Sequence, residues 1–159
     1  MGDLPEILKG GIAVDDRGPL SYLNTAPLGN VVRMYMVENF STDTVRAFHG
    51  HRIEEKFLLV VSGSAIVVVA EMELEPLLEA IGHPQKYVLA KVEPWRYVLS
   101  ARNPQLLHIP AGYANGFRAL EPGTKLLFFS TTTIEQAKTD DYRFQLNYFG
   151  DEIWKAEDR

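Results

Sequence analysis

Short β-forming runs cut by turn residues fill this chain so densely that little but a sheet protein can accommodate them. Val31 to Val37, Phe57 to Val61, Ala65 to Ala70, Lys86 to Val92, Trp95 to Leu99, Gln105 to Ile109 and Lys125 to Thr131 are rich in β-branched and aromatic residues, a composition suited to a pleated surface. Pro94, Asn103-Pro104 and Glu121-Pro122-Gly123 punctuate them, and many short strands with frequent turns indicate an all-β sandwich or barrel. Ser62-Gly63-Ser64 reads as a tight hairpin between two of these runs. Helical spacing is confined to Glu73 to Ile81, where Leu74, Leu77, Leu78 and Ile81 recur three or four apart, Pro76 sits in the first turn and Gly82 supplies a stop. From Ile134 to Lys155, charges mix with Tyr142, Phe144, Leu146, Tyr148, Phe149 and Trp154. That segment shows no clear period, is too apolar for a disordered end and is expected to pack across the barrel or onto a second subunit.

With 159 residues, 46% of them hydrophobic, the chain has material for one core, and we expect a single domain over 1–159. A net charge of −5 argues against general nucleic-acid binding, which calls for a basic face. A local cationic pocket remains compatible with it. The absence of cysteine excludes a disulfide framework and a thiolate metal site. The first residues, Met-Gly-Asp-Leu-Pro-Glu, lack the basic and apolar regions of a leader, and no apolar run has membrane-spanning length. The expectation is a cytoplasmic protein with no membrane contact.

Residues two apart in a strand point to one face, so His49 and His51 project together into or beside a barrel interior. Metal-binding cupins use this arrangement, with a glutamate after the second histidine and a glycine beyond it. Here Gly63 holds the glycine place, but Lys56 stands where the glutamate belongs. The second cupin motif, Pro-x-Gly-x-x-His, reads Pro110-Ala111-Gly112-Tyr113-Ala114-Asn115. A lysine ammonium repels a divalent cation and offers it no lone pair, so the expectation is a metal-free, cofactor-free site. His83 and His108 belong to no such constellation and are read as structural.

The chain resembles the sugar-nucleotide branch of the cupins, the family of dTDP-4-dehydrorhamnose 3,5-epimerase. The resemblance rests on Asp15-x-Arg17-Gly18, on Arg46-Ala47-Phe48-His49 followed by Lys56-Phe57-Leu58-Leu59-Val60-Val61-Ser62-Gly63, and above all on the stretch from Leu99 to Phe117. That stretch reads Leu-Ser-x-x-Asn-x-x-x-Leu-x-Ile-Pro-x-Gly-Tyr-Ala-Asn-Gly-Phe. It is also similar to the dTDP-4-keto-6-deoxyhexose 3,4-ketoisomerases in Arg33-Met34-Tyr35-Met36, in the second histidine at 51, and in Asp140-Asp141-Tyr142-Arg143. The match runs from about Asp15 to Trp154 and implies a cupin double-stranded β-helix, a jelly-roll barrel with one short helix and an extended C-terminal segment. The epimerases carry a tyrosine within a Leu-Tyr-Lys-Thr strand; this chain has Phe128-Phe129-Ser130-Thr131, so Phe129 offers no hydroxyl. The family's aspartate partner for the catalytic histidine lies past the stretch matched by Trp154, so the resemblance assigns none here.

The implied chemistry is proton abstraction next to the ketone of a nucleoside-diphosphate 4-keto-6-deoxyhexose, most simply an epimerisation in deoxysugar or cell-surface polysaccharide biosynthesis. The resemblance also admits a 3,4-ketoisomerase, and a catalytically degenerate barrel that binds a sugar nucleotide without turnover. Such chemistry needs a base near neutral pKa and a cation for the developing enolate. His49 is the candidate base, Lys56 the enolate stabiliser, His51 a second acid or base, and Tyr35 or Tyr113 the proton donor. Arg17, Arg33 and Arg46 are candidates for the diphosphate, with Tyr113, Asn115 and Phe129 completing the substrate-binding set. Apolar arms at both ends suggest a homodimer.

Overall fold

The computed structural model describes residues 3–74 and 86–157. Its strands, in chain order, are β1 (Glu6–Lys9), β2 (Gly11–Asp15), β3 (Gly18–Tyr22), β4 (Arg33–Glu38), β5 (Val45–His51), β6 (Lys56–Ser62), β7 (Ser64–Leu74) and β8 (Tyr87–Leu89), followed by β9 (Trp95–Ser100), β10 (Gln105–Ile109), β11 (Tyr113–Ala119), β12 (Lys125–Ser130) and β13 (Tyr142–Arg143). The helix α1 (Ile134–Thr139) precedes β13, and a 3-10 turn, Glu152–Trp154, closes the described chain.

Two antiparallel sheets face each other. A five-stranded sheet runs β1-β10-β6-β12-β4; the other runs β13-β5-β11-β7, with β8 and β9 both pairing with β7. The interior between them is filled by Leu58, Val60, Val67, Val69, Leu107, Leu126 and Phe128, contributed by both sheets. This is the cupin-type jelly roll that the strand pattern and the motifs imply.

The second sheet is covered on its outer side as well. Phe48, Ile66, Val68, Ala70 and Trp154 form another buried cluster there, with Phe144, Phe149 and Ile153 of the C-terminal segment packed against it. Burial on both faces explains why β7 reads as an unbroken apolar run, Ala65 to Ala70, rather than as an alternation. The C-terminal segment thus crosses the barrel, as its apolar content indicates. The five-stranded sheet has no such cover among the described residues: Met34 and Met36 on its edge strand are 63% and 57% exposed.

Two local expectations change. Ser62-Gly63-Ser64 is no hairpin, because β6 and β7 lie in different sheets; Gly63, with φ of +70°, turns the chain from one layer into the other, and a side chain at that position would strike Thr124. Glu73 and Leu74, placed at the start of a helix by their spacing, instead end β7 opposite Val88 and Tyr87. The rest of that expected helix, with Pro76, Gly82 and His83, lies outside the described residues. The described helix is α1, which the sequence left within an unassigned tail. Thr133 caps it through a capping box with Gln136.

One irregularity positions the site. Opposite β11, the register of β5 shifts between the pairs Asn115–His49 and Phe117–Arg46, so β5 carries one extra residue. A bulge of this kind reverses the alternation of faces, and Arg46 and His49, three apart, therefore border one cavity.

Candidate active site

At one end of the inter-sheet space the packing gives way to a cavity of about 350 Å³. β5 brings His49 and His51 to it, β6 brings Lys56, β4 brings Arg33 and Tyr35, and β11 brings Asn115. The imidazoles and Asn115 thus stand on one sheet, with the ammonium and the phenol on the other.

His51 is 7% exposed. Its Nδ1 bonds to the backbone carbonyl of Asp140, so Nδ1 is the donor and Nε2 keeps its lone pair. Burial, reinforced by the Lys56 charge, lowers its pKa from the ordinary 6.5. His49 is 40% exposed, and its Nδ1 lies 3.6 Å from Oδ1 of Asp141. Its pKa is also lowered, first by burial and then by the charge of Arg143, against the pull of Asp141. Both rings are consequently neutral near pH 7, as a base must be.

Lys56 is 5% exposed and donates through Nζ to Asn115 Oδ1 at 3.4 Å, linking the two sheets. Burial lowers its pKa and the carboxylate of Glu54 opposes that loss. Tyr35 stacks on Phe128 with ring centroids 5.1 Å apart, and the Arg33 guanidinium lies 5.0 Å from its ring centre. Burial, together with Glu54, pushes the phenol up to about 12, so it stays protonated and able to donate.

Arg33 lines the cavity but is engaged internally, donating to Glu54 Oε1 at 2.8 Å and to the Thr132 carbonyl. Arg46 donates through Nε to Asn39 at 2.7 Å and faces no carboxylate among the described residues. Lys138 of α1 borders the cavity too.

Three expected site residues lie elsewhere. Arg17 is 88% exposed on the β2–β3 turn, paired with Asp15, and does not border the cavity. Tyr113 points inward but packs edge-on against Trp95 within the core, outside the cavity wall. Phe129 lies on the opposite face of β12 from the cavity; Phe128 and Ser130 are the inward positions. A sequence alignment names a position, whereas strand alternation decides which neighbour faces in.

Sequence reasoning missed several groups. Asp141 supplies a carboxylate beside His49. Asp140 accepts from the backbone N–H groups of Arg52 and Ile53, at 2.9 and 2.8 Å, and more distantly from that of Glu54, fixing the turn after His51. Glu54, with a fully buried side chain, receives Arg33 and Ser130 on Oε1. Its Oε2 has no hydrogen bond; it lies 3.1 Å from His51 Nδ1, whose proton is committed to Asp140, and 4.0 Å from Lys56 Nζ. A buried acceptor left so costs about 1–3 kcal/mol. The pairing of Asp140-Asp141 with Tyr142-Arg143 was visible in the sequence, but nothing signalled Glu54.

The donor set does not suit a metal ion. The ammonium of Lys56 occupies the place where metal-binding cupins put a carboxylate, and the Asn115 oxygen is turned toward it. Among the described residues no group of three or more His, Cys, Asp or Glu side chains converges in metal-binding geometry.

No family profile matches the sequence, and no curated protein matches it. Solved structures do match. The RmlC epimerase of Mycobacterium tuberculosis is similar at a TM-score of 0.70 and 16% identity, over 96% of this chain and 73% of that one. QdtA, a sugar 3,4-ketoisomerase from Thermoanaerobacterium thermosaccharolyticum solved in complex with TDP, gives 0.65 and 17%, over 94% and 93%. The dTDP-4-dehydrorhamnose 3,5-epimerase of Sulfolobus tokodaii gives 0.65 and 23%, over 91% and 78%. At these identities the likeness shows that the chain has the jelly-roll fold these proteins share.

Proposed function

We propose that the protein is a sugar-nucleotide epimerase acting on a nucleoside-diphosphate, most simply dTDP, 4-keto-6-deoxyhexose, with a place in deoxysugar or cell-surface polysaccharide biosynthesis. The observation that carries the reading is the placement of neutral imidazoles on one sheet and, on the facing sheet, a protonated phenol and a buried ammonium that border the same cavity. In this reading His49, backed by Asp141, takes the proton from the carbon beside the ketone. The electron pair moves onto the ketone oxygen, where Lys56 stabilises the enolate in a poorly hydrated cavity. Tyr35 then returns a proton to that carbon from the other side, which inverts it. Arg46 and Lys138 at the cavity's edge suit a diphosphate. The proteins of similar fold that are named as epimerases and ketoisomerases of sugar nucleotides support the same substrate class.

A 3,4-ketoisomerisation is the second reading, favoured by His51 standing beside His49 with a free Nε2. Incubation in deuterated water with nucleotide 4-keto-6-deoxy sugars distinguishes the readings. Label uptake that survives His51→Asn but not His49→Asn marks an epimerase; loss in both marks the isomerase. Binding of the nucleotide, seen by thermal shift, with no exchange in any such sugar would leave only a non-catalytic binder.

We further read the protein as a cytoplasmic homodimer. The β2–β3 hairpin exposes Val14 and Leu20 at 75% and 61%, and the edge strand β4 exposes Met34 and Met36; apolar surface of this kind is usually covered. A monomer in light scattering at micromolar concentration would end the dimer reading. Among the described residues no helix is long and apolar enough to cross a membrane.

A further inference from the structure

Glu54 is the carboxylate of this cavity that no other duty fully occupies. Asp140 spends its oxygens on the backbone N–H groups that follow His51, and Asp141 spends its own on His49 and Arg143. Glu54 uses Oε1 for Arg33 and Ser130, and leaves Oε2 without a hydrogen bond between His51 and Lys56. Its side chain is fully buried. It borders the cavity beside His51 and Lys56, with Oε2 facing both.

We propose that Glu54 is a positioning residue for proton transfer at this site: anchored through Oε1, it presents Oε2 to His51 and Lys56, holding the Lys56 ammonium charged and aimed into the cavity. The inference rests on the enzymatic reading above. An ammonium confined to a desolvated cavity tends to shed its proton, and a neutral amine cannot stabilise an enolate by charge. The groups facing Lys56 come from every wall. Arg33 and Tyr35 stand on β4, His49 and His51 on β5, Asn115 on β11, Lys138 on α1, Asp140 and Asp141 in the segment after α1, and Arg143 on β13. Arg33, His51 when protonated, Lys138 and Arg143 all disfavour a further positive charge. Of the carboxylates that oppose them, Glu54 acts most strongly on Lys56, ahead of Asp141 and Asp140. The turn that carries Glu54 is itself pinned by Asp140, so the carboxylate is held in place before any ligand arrives.

The test joins a titration to a rate profile, with Glu54→Gln as the isosteric variant and Glu54→Asp as the variant that keeps the charge on a shorter stem. In ligand-free protein, NMR titration of the Lys56 side chain should show deprotonation in Glu54→Gln at a pH lower by about 1–3 units, the effect of removing an opposite charge at this range. Glu54→Asp should fall between that variant and the native protein. With substrate, the basic limb of the exchange-rate profile should move to lower pH because Lys56 loses its proton sooner, while the acid limb, set by His49, stays in place. The maximal rate should fall about 10- to 100-fold, with KM changing by less than about threefold. A residue that merely fills space would lower the rate and leave the basic limb where it was. Should Glu54→Gln fail to fold, Glu54→Asp carries the titration alone. Unchanged Lys56 titration in every variant that folds overturns the proposal. If the native protein exchanges nothing, the enzymatic reading falls, and the ligand-free titration still decides whether Glu54 sets the charge of Lys56.

Discussion

Along β6, the inward side chains are Lys56, Leu58 and Val60, and the change from one end to the other takes a single step of the alternation. At Leu58 the two sheets close on one another through apolar contact; at Lys56 they are held apart by charged groups surrounding a cavity. The contrast shows that the barrel assigns stability and chemistry to different rungs of the same strands. Leu58 is fully buried and belongs to the core. Lys56 is nearly as buried, yet it is surrounded by groups whose arrangement serves a charge.

The strongest way to break this division is Leu58→Ala. Removing a fully buried side chain from a close-packed core costs about 2–5 kcal/mol of unfolding free energy. Urea unfolding should show that loss while the histidines titrate as before. If their titration moves as well, the two rungs are not separate. Lys56→Met comes next. It should lower the deuterium exchange rate about 10²–10³-fold, or roughly 3–4 kcal/mol of barrier, with a smaller loss of unfolding free energy than Leu58→Ala, because methionine fills similar space. Equal stability losses in the two variants would mean that the charged rung is also structural.

The smallest effect is a pH dependence that belongs to the charged rung alone. His49 and His51 both have pKa values below their ordinary 6.5 when folded. As pH falls below 6.5 the unfolded chain takes up protons that the folded chain refuses, so stability declines with acidification until the folded-state values are passed. Unfolding midpoints measured between pH 7 and 5 should fall in the native protein and fall less in a His49→Asn, His51→Asn double variant. A double variant that tracks the native protein would place the sensitivity elsewhere.

The sequence carried much of the jelly roll because most strands of the inter-sheet core advertise themselves by β-branched residues and punctuation, and Gln105 to Ile109 is recovered residue for residue as β10; β11, without a β-branched residue, gave no such signal. It carried β1, β2 and β3 poorly, since short, largely exposed strands lack a buried face to impose a pattern. Gly63 was legible as a turn but not as a crossing between layers, because a turn residue encodes backbone angle and says nothing of which strands pair. His49, His51 and Lys56 were legible through their spacing along β5 and β6. Glu54 was not, because it sits in a turn without period and gains its meaning from Arg33, Ser130 and Asp140, which are remote in the chain. Arg17 belongs to a motif, yet its surroundings in the folded chain are solvent and Asp15.

The extra residue in β5 has a consequence for how this site can change. With strict alternation, Arg46 and His49 would face opposite ways, one guarding the entrance and the other turned into the layer under the C-terminal segment. Excising one residue between them would therefore not trim the pocket; it would exchange its guanidinium for a side chain meant for the opposite layer, or turn both imidazoles outward. The pocket thus depends on the length of this one segment as much as on the residues it carries.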